Sequence, residues 1–150
     1  MFSIDQFNRH YDTERRDVVI DGRSYGFLVP RSIDRFIDSE DPLHDFPLWA
    51  KIWPASVVLA RRLSRLPVVP GQRILEIGSG LGLVGIVAAC SGHAVTLTDI
   101  NPHAISNMYW NQGRSSYQLL IAWGLMSVRV TPRDRCRPQR CRPGRVRNRF

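Results

Sequence analysis

Lysine is nearly absent from this 150-residue chain: one residue, Lys51, stands against 20 arginines. Cysteine is scarce too, with Cys90, Cys136 and Cys141 making an odd number and no disulfide framework. Cys90 falls in an apolar helical run and reads as a small core residue. Cys136 and Cys141 are flanked by Arg and Pro, and no histidine nearby completes a zinc ligand set, so no metal site is expected. No apolar run approaches the ~18 residues needed to span a bilayer. The opening MFSIDQFNRHYDTERRD lacks the apolar core of a signal peptide. These absences predict a soluble, cytoplasmic chain with no membrane partner.

Acidic residues almost vanish after residue 112. Residues 113–150 hold 10 arginines and a single acid, Asp134, for a net of +9, whereas residues 1–112 hold 11 Lys and Arg against 12 Asp and Glu, for a net of −1. The overall charge of +8 therefore belongs to the tail. It does not make the body of the protein a nucleic-acid binder. Apolar residues form 43% of the chain, enough to exclude global disorder and to build one domain with a core.

Two apolar runs between Asp17 and Val29 flank Asp21-Gly22, a dipeptide suited to the positive φ angles of a tight hairpin turn. Pro30 ends the second run. Ser32 is placed to cap a short helix with Ile33, Phe36 and Ile37 on its apolar face. Residues 39–47 are acidic and proline-containing, and read as a loop. Pro54 starts a helix in which Val57, Val58, Leu59, Leu63 and Leu66 form the buried stripe and Arg61, Arg62 and Arg65 face water. After the breakers Pro67, Pro70 and Gly71 comes a short strand, Ile74 to Ile77, then Gly78-Ser79-Gly80-Leu81-Gly82. An apolar helix from Leu83 to Cys90 follows. A second strand, Ala94 to Thr98, ends at Asp99, and Asn101 caps a further helix whose first position is Pro102. This order predicts a βαβ unit with a parallel sheet.

Glycines between a strand and its helix let a ligand approach the backbone closely. The helix N-terminus favours a carboxylate or phosphate. An acid about 20 residues on can accept both ribose hydroxyls, and Asp99 lies 21 residues after Gly78 and 19 after Gly80. Gly80-Leu81-Gly82-Leu83-Val84-Gly85 also fits the dinucleotide pattern, so the glycines alone leave NAD(P) open. Two features favour an adenosine bearing an amino acid. Gly78-Ser79 separate that pattern from the strand, and Glu76 at the strand's end would repel a pyrophosphate but pair with an ammonium. S-adenosylmethionine carries such an ammonium.

The run RILEIGSGLGLVGIVAACSGHAVTLTDINPHAISNMYWN at 73–111, preceded by PLWAKIWPASVVLARRL at 47–63, resembles the class I S-adenosylmethionine-dependent methyltransferases. Within them it is most similar to the small protein-lysine methyltransferases and their bacterial relatives. The resemblance implies an α/β, Rossmann-like parallel sheet and methyl transfer from S-adenosylmethionine to a protein lysine; a monomer is expected. It also implies that Trp53 lines the cofactor pocket, with the Gly78-Ser79-Gly80 backbone holding the amino-acid end and Asp99 the ribose. Glu76 and Gly82 complete the cofactor-binding set. Trp49 and Trp53 also read as plain core or lid aromatics.

After Asn111 the family's third strand, adenine-side acid and substrate-side motif have no counterpart, so no catalytic residue is assigned. Tyr117 to Trp123 suits one strand. Beyond Pro132 the text is Arg, Pro and Cys, which cannot bury surface and predicts disorder. A basic tail for an RNA or acidic partner is one reading; a frame slip in GC-rich coding DNA, leaving the fold incomplete at its C-terminus and activity impaired, is the favoured one. The expected organisation is a hairpin-and-helix extension at 1–46, a cofactor-binding βαβ half at 47–112 and an Arg-rich tail at 113–150. An NAD(P)-binding oxidoreductase fragment and a non-catalytic basic binding protein are the alternatives.

Overall fold

A computed structural model describes residues 9–42, 46–111, 117–122 and 125–130. β1 (Thr13–Ile20) and β2 (Arg23–Pro30) form the expected hairpin, joined by Asp21 at φ 48° and Gly22 at φ 77°. The hairpin begins earlier than its apolar pattern, because polar Thr13 to Arg16 pair with Phe27 to Pro30. The helix expected after Ser32 is only a 3-10 turn, Asp34–Phe36. Ser32 Oγ accepts the Asp34 N–H at 3.0 Å and donates to the Asp34 carboxylate at 2.6 Å, closing a local turn.

α1 (Pro54–Ser64) starts at Pro54 as expected, but its buried face is narrower than its apolar pattern. Ala60 is fully buried and Val57 and Leu63 partly so, whereas Val58 and Leu59 are 68% and 48% exposed. The small Ala60 side chain lets α1 lie close to its neighbours, so a single stripe makes the contact. Arg65, just past the helix, does not merely face water. Its guanidinium pairs with the Asp21 carboxylate in the hairpin turn, and Ser64 Oγ donates to the same carboxylate at 2.8 Å.

β3 (Arg73–Ile77), α2 (Leu83–Cys90) and β4 (Ala94–Asp99) form the βαβ unit, with β3 and β4 parallel and Ile77 opposite Thr98. Seven of the eight α2 residues are buried. Ile20, Phe27 and Val29 of the hairpin share a core with Ala60, Leu83, Val84, Ile86 and Val87. On the other side Ala88 and Ala89 meet Val95, Leu97, Ile105 and Met108. Asn101 Oδ1 accepts the His103 N–H at 2.9 Å and so caps α3 (Pro102–Asn111) as its sequence predicts.

The sheet is mixed rather than wholly parallel. β5 (Tyr117–Ala122) and β6 (Leu125–Val130) form a second hairpin, and the strand order is β3-β4-β6-β5 with β6 antiparallel to β4 and to β5. Two residues connect β5 to β6, far too few for the crossover that a parallel pair requires. Composition groups 113–150 as one tail, yet both strands lie within it. The alternation in Ser127-Val128-Arg129-Val130 is the signal for β6. Residues 131–150, including Cys136, Cys141 and most of the arginine run, lie outside the described residues. No helix among the described residues is long and apolar enough to cross a membrane.

Candidate functional site

The turn between β3 and α2 is held by bonds to β4 and within itself. The Ser79 N–H and Oγ both donate to the Thr98 carbonyl, at 3.0 and 2.9 Å, and the Gly82 N–H donates to the Ser79 carbonyl at 2.8 Å. Thr98 Oγ1 returns a bond to the Glu76 carbonyl at 3.0 Å, lacing β3 to β4 directly beneath the turn. Gly78, Gly80 and Gly82 have φ of 67°, 53° and 78°, values that glycine adopts without strain. Their surroundings differ. A Cβ on Gly78 would meet no atom within 4 Å, one on Gly80 would lie 3.3 Å from the Trp49 carbonyl, and one on Gly82 would strike Met108.

Glu76, next to last in β3, and Asp99, last in β4, stand at the carboxyl ends of the two parallel strands. Glu76 accepts the Gly85 N–H at 2.8 Å, satisfying a free donor in the first turn of α2. Burial, chiefly, with the Asp99 charge adding to it, pushes its carboxyl up to about 7 against the opposing Gly85 bond. Asp99 accepts the Gly80 N–H at 2.8 Å on one oxygen and the Asn101 N–H at 2.9 Å on the other. It is buried, yet it faces a cavity of about 430 Å³ that Glu76 also lines.

Six of the seven expected binding residues line that cavity: Trp53, Glu76, Gly78, Ser79, Gly80 and Asp99. Gly82 does not. It lies behind the wall as the left-handed N-cap of α2, packed on Met108. Trp53 is 42% exposed, and its ring is fixed by an Nε1–H bond to the Leu48 carbonyl at 2.9 Å. Trp49 is both wall and core. It stacks on His103 at 5.9 Å and meets Phe36 and Tyr11 edge-on. The Tyr11 hydroxyl and His103 Nδ1 are 2.9 Å apart, which ties the segment before β1 to α3. Burial, then the nearby His10, lowers the His103 pKa.

Sequence patterns do not reveal Lys51, Leu48 or Ile100 as cavity residues, since each is an isolated position in a loop or at a strand end. The capping role of Glu76 also escapes pattern. Its partner, Gly85, lies nine residues on, whereas a capping box spans three.

Residues 44–115 match the model of the lysine methyltransferase family. The match covers 72 residues, just under half of the chain. The match supports the expected resemblance to class I methyltransferases of the protein-lysine group. The chain is 50% identical over 83 residues to the protein N-lysine methyltransferase METTL21A of Danio rerio, covering 50% of this chain and 38% of that protein. It is 41% identical over 63 residues to the human electron transfer flavoprotein beta subunit lysine methyltransferase, covering 41% of this chain and 24% of the relative. It is 51% identical over 49 residues to the histone-arginine methyltransferase METTL23 of Rattus norvegicus, covering 32% and 22%. The chain thus spans well under half the length of these lysine and arginine methyltransferase relatives.

Proposed function

We propose that residues 47–112 form the S-adenosylmethionine-binding half of a protein-lysine N-methyltransferase. The observation that supports this best is the convergence of Glu76, Asp99 and the glycine turn on one cavity. Its volume, about 430 Å³, suits a small-molecule cofactor. Each Asp99 oxygen accepts one N–H and retains a second lone pair, so the ribose hydroxyls would still find acceptors. Glu76, whose burial disfavours its charge, gains most from a cationic partner, and the cofactor's ammonium would supply one. The open space beside Gly78 would admit the amino-acid end, and Trp53 would form an apolar wall. Gly82 would act indirectly, by setting where α2 begins.

The cofactor, when bound, supplies a methyl group already activated on a sulfonium. What this chain's residues contribute is position and exclusion of water. Near-attack alignment of a neutral amine is the main requirement of such a transfer. A lysine side chain of a protein is the acceptor we infer, following the family and the names of METTL21A and the flavoprotein methyltransferase.

The test has two arms. Isothermal titration should detect S-adenosylhomocysteine and not NAD⁺; the reverse result refutes the cofactor. Labelled S-adenosylmethionine should mark lysate proteins on lysine when peptides are sequenced by mass spectrometry. Marks confined to arginine would move the acceptor to the one that the METTL23 name carries.

A further inference from the structure

Among the described residues that line the cavity Lys51 is the one cation, and it is the only lysine in the chain. It stands in an extended conformation between the turn Leu48–Ala50 and α1, with φ −121° and ψ 143°. Its Nζ lies 5.4 Å from the centroid of the Trp53 ring, which is itself held by the Leu48 carbonyl. Among the described residues it makes no ion pair with a carboxylate.

Four donors of the glycine turn and of the start of α2 are already taken. The Ser79 N–H goes to Thr98, the Gly80 N–H to Asp99, the Gly82 N–H to Ser79 and the Gly85 N–H to Glu76. An amino-acid moiety carries a carboxylate on the same carbon as its ammonium. With Glu76 facing the ammonium, the carboxylate would find in Lys51 a cationic side chain at the cavity wall. The two acids and one base of the cavity also match a ligand bearing an ammonium, a sulfonium and a carboxylate.

We propose that Lys51 reads the carboxylate of the cofactor's amino-acid end, an inference that rests on the S-adenosylmethionine reading above. Trp53 acts as the rest for the Lys51 ammonium, a cation over a ring face, so that it is directed into the cavity. Lys51 is a binding and positioning residue here, with no part in the bond changes.

Two probes separate the possibilities: S-adenosylhomocysteine, which has the amino acid, and 5′-methylthioadenosine, which lacks it. The full chain and its Lys51→Met and Lys51→Arg variants are titrated with each. Lys51→Met keeps an apolar stem against Trp53, and should weaken S-adenosylhomocysteine by roughly three- to tenfold for an accessible ion pair. Binding of 5′-methylthioadenosine should not change, and Lys51→Arg should restore most of the loss. Equal weakening of both probes would overturn the carboxylate contact, since the lysine would then act only on cavity shape. Unchanged S-adenosylhomocysteine affinity in Lys51→Met would overturn it as well. If the unsubstituted chain binds neither probe, the cofactor reading itself fails and the inference falls with it.

Discussion

Asp99, at the end of β4, accepts the N–H of Gly80 across the sheet at 2.8 Å. Its second oxygen accepts the N–H of Asn101 at 2.9 Å, so one carboxylate fixes both the glycine turn and the entry to α3. The acid assigned to the ribose is therefore also a brace for the loops that shape the cavity.

Replacing Asp99 should expose both duties. Asp99→Ala should weaken S-adenosylhomocysteine by about 1.5–3 kcal/mol, the range for hydrogen bonds to a charged group. It should also lower the thermal midpoint, because two N–H groups lose their acceptor. Asp99→Asn keeps one amide oxygen and should recover part of the stability but not the affinity. Titration calorimetry alongside circular dichroism measures both, and an unchanged affinity in a folded Asp99→Ala protein would remove the ribose assignment.

Glu76 makes stability and binding respond to pH in opposite senses. Its carboxyl is raised from 4.5 to about 7, so the folded protein holds a proton there that the unfolded chain has released. That contribution is complete below pH 4.5 and is lost as pH rises through about 7, on the order of 3 kcal/mol in all. Affinity for a ligand with an ammonium should rise over the same interval, since the ionised carboxylate is the partner. Glu76→Gln keeps an acceptor for the Gly85 N–H while removing the titration. Urea unfolding and S-adenosylhomocysteine binding, both followed from pH 5 to 7.5, should be flatter in Glu76→Gln than in the parent. Parallel profiles would mean that Glu76 does not titrate there.

Gly85 should be intolerant of any side chain because α2 packs closely on β4 at that position. A Cβ there would collide with the Leu97 side chain and lie 2.8 Å from Glu76 Oε2. Gly85→Ala should cost about 1–3 kcal/mol by overpacking, read from denaturant midpoints. Adding Leu97→Ala should return part of that loss by making room. If the double variant is no better than the sum of its single changes, the α2–β4 contact is not the cause.

The hairpin turn, the glycine turn and the starts of α1 and α3 could all be seen in the sequence, because each depends on residues adjacent along the chain. Asp21-Gly22 satisfies a two-residue turn, Pro54 opens α1 at its first position, and Asn101 caps the helix that Pro102 begins. The spacing of Gly78, Gly80 and Asp99 likewise shows through, since a βαβ unit sets the distance from the first turn to the second strand's end. The buried face of α1 did not show through. Val57, Val58, Leu59 and Leu63 are alike in hydropathy, and only the position of Ala60 against the hairpin and α2 selects among them.

Sequence alone thus determined the local punctuation of the chain and the spacing of the glycine turn and its acid, because turn angles and caps are decided by near neighbours. Tertiary structure decided what the individual side chains do. Tyr11 and His103 are 92 positions apart, yet meet beside Trp49. The Glu76 carboxyl is governed by burial, by the N–H of Gly85 and by the charge of Asp99, none of which its immediate neighbours supply. Lys51 lines the cavity with its Nζ 5.4 Å from the centroid of the Trp53 ring, which the Leu48 carbonyl holds. Protonation and ligand contact depend on the distances and burial that arise once the chain has closed on itself, and spacing along the sequence does not encode those.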